Sequence, residues 1–332
     1  MNKQISIDIG TSSVLIYVKG KGIVLQEPSV ITVDNITNRV IKIGREAREM
    51  TGRTPESVVN VYPVCDGVIN RYTHAAVMLK KFLSRSCGTF VVRPDITLCV
   101  PCGISDVEEM AFKSLADEIG AKNVYMIDSP LAFAIGEGID VLAPEGNMII
   151  DIGGGNTNIS VISLGGTVVD NCVKCGGNKF NESLIKYVRS KYELAISEEA
   201  AEEAKIKAGT VWPSGNTATV TVKGRNVRNY RPESVMLGAT DMVNAFEDPM
   251  TRIGEAICTV IESTSPELVS DIAKKGIIMA GGGSLINGID RLVSSITGMP
   301  VRIAEKPLSG AVLGAGRASD LDIDPHSPRK RI

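Results

Sequence analysis

Apolar and polar residues alternate in short runs from the start of the chain. Segments 5–9, 14–18 and 23–25 are rich in Ile, Val and Leu, and Gly10-Thr11-Ser12-Ser13 and Gly20-Lys21-Gly22 separate them. Short β-rich runs punctuated by glycine predict a meander, which 30–33 and 40–43 extend. The pattern then changes period. Residues 75–83 read as a helix, 96–100 as a buried strand, and 106–119 as a helix opened by Ser105 with Glu108 three residues on, as in a capping box. A strand at 124–127 leads to a helix at 131–135, just after Pro130, a residue suited to a first helical turn.

The second half repeats the theme. Segments 148–152, 159–163 and 167–173 predict a second meander around a Gly-rich turn. Helices are expected at 180–192 and at 197–208, the latter with Ser197 as N-cap and acidic residues in its early turns, where the helix dipole favours them. A strand follows at 218–222, then an amphipathic helix at 249–262 with Ile253, Ile257 and Ile261 spaced by four. A strand at 277–280 runs into Gly281-Gly282-Gly283 and a helix, and 310–318 reads as a closing helix. One plan, a meander with a Gly-rich first turn and then alternating α and β, occurs twice in pattern but not letter for letter. The expected class is α/β, and 332 residues are comfortable for two lobes and long for one core.

Charge adds little. Lys and Arg total 36 against 38 Asp and Glu, a net charge of −2, so bulk electrostatics give no reason to expect nucleic acid. Glycine is more telling: 33 glycines with only 4% aromatics suit the tight turns and close backbone approaches of phosphate-binding α/β proteins. The N-terminus passes straight into a strand-like run, so no signal peptide is expected. No apolar run reaches the roughly 20 residues that cross a bilayer, so any membrane contact would be peripheral. The closest cysteines, Cys99 with Cys102 and Cys172 with Cys175, lack converging histidines and read as reduced thiols of a cytoplasmic protein.

Three Gly-rich turns carry the candidate chemistry. They are Asp8-Ile9-Gly10-Thr11-Ser12-Ser13, Asp151-Ile152-Gly153-Gly154-Gly155-Asn156-Thr157, and Gly281-Gly282-Gly283-Ser284, each after a strand. Backbone N–H groups in such turns can converge on phosphate oxygens. Asp8 and Asp151, near the ends of their strands, could hold the waters around a Mg²⁺, and the third turn could aim helix-start N–H groups at a ligand. Any one of these could be an ordinary tight turn. Together, the two Asp-bearing hairpins half a chain apart suggest two lobes gripping one polyphosphate. No G-x-x-x-x-G-K-[ST] loop occurs, and neither meander turn opens a helix as a dinucleotide fold requires.

Several stretches in order resemble one family. They are Lys19-Gly20-Lys21-Gly22-Ile23-Val24-Leu25 with Glu27-Pro28-Ser29-Val30, Asp66-Gly67-Val68-Ile69, Cys99-Val100-Pro101-Cys102-Gly103-Ile104, segments 130–136, 151–166, 201–209 and 280–290, and Ala311-Val312-Leu313-Gly314-Ala315-Gly316. They are similar to the actin, sugar-kinase and heat-shock-chaperone ATPase superfamily, and within it to the MreB-like bacterial actins. The resemblance implies an actin-like fold of two lobes, each a mixed sheet flanked by helices, with ATP (GTP as the alternative) and Mg²⁺ in the cleft. The first lobe would span 1–145 with the closing helix 306–320, and the second 146–305, leaving 321–332 as a disordered tail.

Position by position, the resemblance implies phosphate contacts from Thr11, Ser12 and Ser13 and from Gly153, Gly154, Gly155 and Asn156. Glu202, Glu203, Ala204 and Lys205 would flank the adenosine. Gly281, Gly282, Gly283, Ser284 and Leu285 would close over the nucleotide from the other lobe, and Asp8 and Asp151 would organise Mg²⁺ waters. Two positions depart from the family. It usually has Glu-Glu-Pro where this chain has Asp128-Ser129-Pro130, and Thr where it has Asn156. A Ser hydroxyl cannot act as a carboxylate base. Asp128 could substitute, but if both residues lie on a strand it points to the opposite face. Slow ATP hydrolysis is therefore expected.

Segment 87–93 falls where the family carries a membrane-dipping loop, so Phe90 and Val91 would enter an anionic membrane surface, aided by the basic residues Arg329, Lys330 and Arg331; the alternative is that Phe90 packs inward or that Val91 and Val92 begin the next strand. The implied function is an ATP-dependent homopolymer filament at the inner face of the cell membrane. It would organise cell shape or wall synthesis, with cell-wall or morphogenesis proteins as further partners. The alternatives are a plasmid- or organelle-positioning actin, a small-molecule kinase of the same superfamily, and a chaperone-type ATPase. The last lacks room for a substrate-binding domain, and no insertion that would hold a sugar is evident.

Overall fold

The computed structural model describes residues 3–88, 93–212, 217–318 and 321. Phe90, Val91 and the tail at 322–332 lie outside the described residues. The chain forms two compact units: Met1–Pro144 with Ile162–Asp170 and Leu308–Ile332, and Glu145–Val161 with Asn171–Pro307.

The first unit begins with the meander β1 (Gln4–Ile9), β2 (Ser13–Val18) and β3 (Gly22–Pro28). A small sheet of β4 (Ile31–Asp34), β5 (Arg39–Ile43) and β6 (Val58–Val61) follows, with the short helix α1 (Arg45–Glu49) inserted. β7 (Val64–Cys65) and β8 (Val68–Ile69) then make a hairpin across Asp66-Gly67, both with positive φ. Next come α2 (Tyr72–Cys87), β9 (Asp95–Val100), α3 (Asp106–Glu118), β10 (Asn123–Asp128) and α4 (Ser129–Gly136). The main sheet runs β10-β9-β1-β2-β3, with β9 parallel to both β1 and β10. Parallel neighbours need crossover connections, which α2 and α3 supply. Ser105 caps α3 as its sequence predicts: the Glu108 N–H donates to its hydroxyl at 3.3 Å, and Glu108 Oε2 accepts the Ser105 N–H at 2.8 Å.

A second meander follows, β11 (Asn147–Ile152), β12 (Thr157–Ser163) and β13 (Gly166–Val173), of which residues 162–170 are counted with the first unit and the rest with the second. The second unit continues through α5 (Gly177–Tyr192), β14 (Leu194–Ala195), α6 (Glu198–Ala208), β15 (Val220–Asn226), β16 (Pro232–Leu237), α7 (Ala239–Glu262) and α8 (Pro266–Lys275). β17 (Ile277–Ala280), α9 (Ile289–Thr297) and β18 (Val301–Ile303) close it. The sheet β13-β12-β11-β17-β18 repeats the first in strand order, with β17 parallel to β11 and β18 parallel to β17 as β9 and β10 are in the first. The duplicated pattern is thus a duplicated topology.

Apolar burial holds each unit. Ile7, Ile16, Phe82, Leu98 and Phe112 are all sealed from solvent in the first core, each contributing about 1.5–3 kcal/mol by transfer from water. In the second, Phe180 of α5 meets Phe246 of α7 edge to face, ring centroids 5.1 Å apart. α10 (Gly310–Ala318) returns to the first unit and crosses α4 so closely that a Cβ on Gly314 would lie 1.7 Å from the Ala132 carbonyl oxygen.

Three expectations need correction. The helix expected to begin at Pro249 begins ten residues earlier: α7 runs unbroken through that proline. Met242, Ala245 and Phe246 continue the buried stripe upstream, and this packing outweighs the N–H that Pro lacks. The third Gly-rich turn opens a single 3₁₀ turn, Gly282–Leu285, and α9 starts only at Ile289. Ser129 is the first residue of α4, not a strand residue beside Asp128.

Candidate functional site

In the first unit, β1 ends at Asp8-Ile9 and the chain reverses with the Gly10 N–H donating to the Ser13 carbonyl at 2.9 Å. Thr11 is buried, and its hydroxyl accepts the Gly67 N–H at 3.0 Å, so this side chain anchors the β7–β8 turn. Ser12 is exposed, and Ser13 and Asp8 are half-buried. On this turn, Ser12 and Ser13 are the hydroxyls left open to a ligand.

The second unit builds its turn the same way, with the Gly153 N–H donating to the Asn156 carbonyl at 2.9 Å. The start of α5 sits directly on it. Gly177 N–H donates to the Gly153 carbonyl at 2.9 Å and Asn178 N–H to the Gly154 carbonyl at 2.8 Å. The third turn closes against the same strand end. Gly281 has φ +76°, and a Cβ there would lie 2.2 Å from the Ile152 carbonyl oxygen and 2.5 Å from Asp151 Oδ1. Only glycine fits both the backbone and the space. Ser284 is buried, its hydroxyl donating to the Gly281 carbonyl at 2.7 Å. Gly283 is buried too, whereas Gly282 and Leu285 are exposed.

On α6 the four expected residues diverge. Lys205 Nζ donates to Glu202 Oε2 at 2.6 Å and to the Gly177 carbonyl at 2.9 Å, and Glu202 also accepts the Asn181 amide at 2.7 Å. Glu202 and Lys205 are therefore tied to the first turn of α5, beside the hairpin. Glu203 points outward to an ion pair with Lys207, and Ala204 is in the core. Neither of these two faces that turn.

Burial pushes the Asp151 carboxyl up to about 6, with a hydrogen bond from Asn158 opposing the rise. A desolvated carboxylate is stabilised by a nearby cation, and oxygen donors suit a hard ion such as Mg²⁺. Among the described residues no group of three or more His, Cys, Asp or Glu converges, so waters and phosphate oxygens would complete the coordination. The residues fit a water-mediated Mg²⁺ better than a protein-caged one.

At the departing positions, Asp128 has extended backbone at the head of α4 and its Oδ2 accepts the Thr167 hydroxyl at 3.5 Å. Because β10 ends there, strand alternation does not relate it to Ser129. Ser129 is buried and its hydroxyl donates to the Val100 carbonyl at 3.1 Å, which points it into the first unit's sheet. Asn156 is buried, its amide donating to Asn158 Oδ1 at 3.4 Å and to Cys172 Sγ at 3.3 Å. Asn158, Asn181 and the α5 start are features that the sequence did not single out. The available signal was the polar run Asn156-Thr157-Asn158 directly ahead of the alternating Ile-Ser-Val-Ile-Ser of 159–163.

The family model for MreB/Mbl protein matches residues 2–324. The cell shape-determining protein Mbl of Bacillus subtilis is 39% identical over 315 residues, covering 95% of each chain. The cell shape-determining protein MreB of Escherichia coli is 38% identical over 331 residues, covering 98% of this chain and 95% of the relative. MreB5 of Spiroplasma citri, solved with AMPPNP, superposes with a TM-score of 0.91 at 34% identity over 95% of both chains. A MamK double helical filament, at 22% identity and a TM-score of 0.81 over 96% of this chain and 99% of that one, shares the fold. Duplicated sheets with matched glycine turns, and these relatives along nearly the whole chain, show an actin-like protein that belongs to the MreB/Mbl family.

Proposed function

We propose that this protein binds Mg²⁺ and an adenine nucleotide through its glycine turns and assembles with copies of itself into a filament that organises cell shape. The observation that carries the reading is the repeated turn. Each follows a strand ending in Asp-Ile, and each is closed by the same hydrogen bond, Gly10 to Ser13 and Gly153 to Asn156. Cell-shape relatives and the AMPPNP- and ADP-bound forms of Spiroplasma citri MreB5 support it.

In this reading Ser12, Ser13, Gly154 and Gly155 meet phosphate oxygens, and Asp8 and Asp151 hold metal-bound waters. Glu202 and Lys205 lie toward the adenosine, and the exposed Gly282 and Leu285 cover it. Bound Mg²⁺ would neutralise phosphate charge. Hydrolysis is slow, because Ser129 carries no carboxylate and its hydroxyl is engaged with Val100. Phe90 and Val91 supply peripheral contact with an anionic membrane at the cytoplasmic face, and cell-wall proteins are further partners. No helix among the described residues is long and apolar enough to cross a membrane.

The test is sedimentation and electron microscopy of the purified protein with Mg·ATP, with EDTA, and with anionic liposomes. Filaments that need nucleotide, and that lose liposome binding when Phe90 and Val91 become Ser, are the expected result. A monomer under all conditions, with no measurable ATP affinity, would overturn the reading.

A further inference from the structure

Strand β12 is buried along its whole length, yet it opens on polar side chains. Asn156, Thr157 and Asn158 are only 6%, 0% and 4% exposed. Buried amides persist where their hydrogen bonds are made, and here the partners are informative. The Thr157 hydroxyl donates to the Cys175 carbonyl at 2.6 Å, a purely structural contact. Asn158 instead joins two groups of the candidate site. Its Oδ1 accepts from the Asn156 amide at 3.4 Å, and its own amide hydrogen-bonds the Asp151 carboxylate on β11. Gly281 packs against the Oδ1 of the same carboxylate.

We infer that Asn158 is a positioning residue, fixing the orientation of the Asp151 carboxylate and tying it to Asn156 of the phosphate turn. The inference rests on the proposed nucleotide reading. A carboxamide suits the task because one planar group supplies both a donor and an acceptor. Asp would keep the acceptor for Asn156 but face Asp151 with a like charge, and Ala would keep neither bond. A carboxylate that organises metal waters depends on such outer partners, whose loss typically lowers metal affinity about 10–100-fold.

The experiment measures affinity for a fluorescent ATP analogue, in Mg²⁺ and in EDTA, for wild type, Asn158→Ala, the milder Asn158→Ser, Asn156→Ala, and the Asn156→Ala, Asn158→Ala pair. Urea unfolding of each variant checks that it is folded. The Ala variant is expected to lose about tenfold or more of the Mg²⁺-dependent gain, with affinity in EDTA within about twofold of wild type and Asn158→Ser between the two. The paired variant should fall less than the product of the single losses, since linked groups are non-additive. An unchanged Mg²⁺-to-EDTA ratio in both Asn158 variants, or equal loss in both conditions, assigns Asn158 a structural role and overturns the inference while the nucleotide reading stands. A wild type with no Mg²⁺-dependent affinity overturns the nucleotide reading and this inference with it.

Discussion

Replacing Asp151 with Asn should make the ligand-free protein more stable and its Mg·nucleotide complex weaker. Burial raises this carboxyl from 3.8 to about 6. The folded value lies above the unfolded one, so the associated stability is complete below about pH 4 and is lost as pH rises through about 6. A rise of that size corresponds to about 3 kcal/mol against the ionised form. Asp151 keeps a solvent-facing edge and Asn also has a polar group to desolvate, so roughly 1–2 kcal/mol is the expected gain at pH 7.5. The amide is nearly isosteric, Asn158 can still donate to its oxygen, and no new contact with Gly281 is created. Urea midpoints in EDTA should rise for Asp151→Asn at pH 7.5, by about half as much at pH 5, and converge with wild type below about pH 4, where the carboxyl is protonated in the folded and the unfolded chain alike. Nucleotide affinity in Mg²⁺ should fall about tenfold or more, because the neutral amide holds metal-bound waters less well. Destabilisation at pH 7.5, or a gain that persists undiminished below about pH 4, would refute the claim that burial strains this charge.

At Asp241, burial alone would raise the carboxyl, but Lys191, the Gly238 N–H, Tyr192 and Tyr187 together hold it down at about 2. That stabilisation is present above about pH 4 and lost as pH falls through about 2, so Asp241→Asn should cost about 1–2 kcal/mol at neutral pH, shrinking in acid melts over that window. Gly281→Ala forces a Cβ into the Ile152 carbonyl at a φ only glycine tolerates, and should cost about 3 kcal/mol or more in urea titrations, with nucleotide affinity lost alongside. Ser129→Glu with Asn156→Thr should raise phosphate release at least about tenfold, despite about 1 kcal/mol for the lost Ser129–Val100 bond, whereas Asp128→Ala should leave the low wild-type rate unchanged. A wild type already fast, and silenced by Asp128→Ala, would show Asp128 to be the base.

Much of the fold is legible in sequence because its signals are local. The two meanders announce themselves through apolar runs broken by Gly10 and by Gly153-Gly154-Gly155, and Ser105 and Ser197 mark helix starts through caps that the structure forms. What escapes is non-local. Pro249 reads as a helix start because its missing N–H is a local property, whereas the packing of Phe246 on Phe180 that carries α7 through it is not. Glu202, Glu203, Ala204 and Lys205 look alike as a solvated helix face. Only the contacts of Asn181 and Gly177 separate the inward pair from the other two. Asn158 was invisible for the same reason: its meaning lies in Asp151 on the neighbouring strand.

The two kinds of site residue also differ in what substitution can do to them. The glycine turns present backbone N–H groups, and the Gly10–Ser13 and Gly153–Asn156 bonds that shape them involve no side chain. Changing Thr to Asn at position 156 therefore leaves the turn closed, and the new amide is taken up by Asn158 and Cys172. Water activation has no such tolerance, since it depends on one side chain placing a carboxylate. If position 129 is where the family's carboxylate stands, as the resemblance implies, this chain has in its place a hydroxyl bonded to Val100. On the proposed reading, a chain that keeps the backbone cradle and changes those two side chains would retain the means to hold a nucleotide while losing the means to consume it quickly. Its filaments would then be governed by nucleotide binding and exchange more than by hydrolysis.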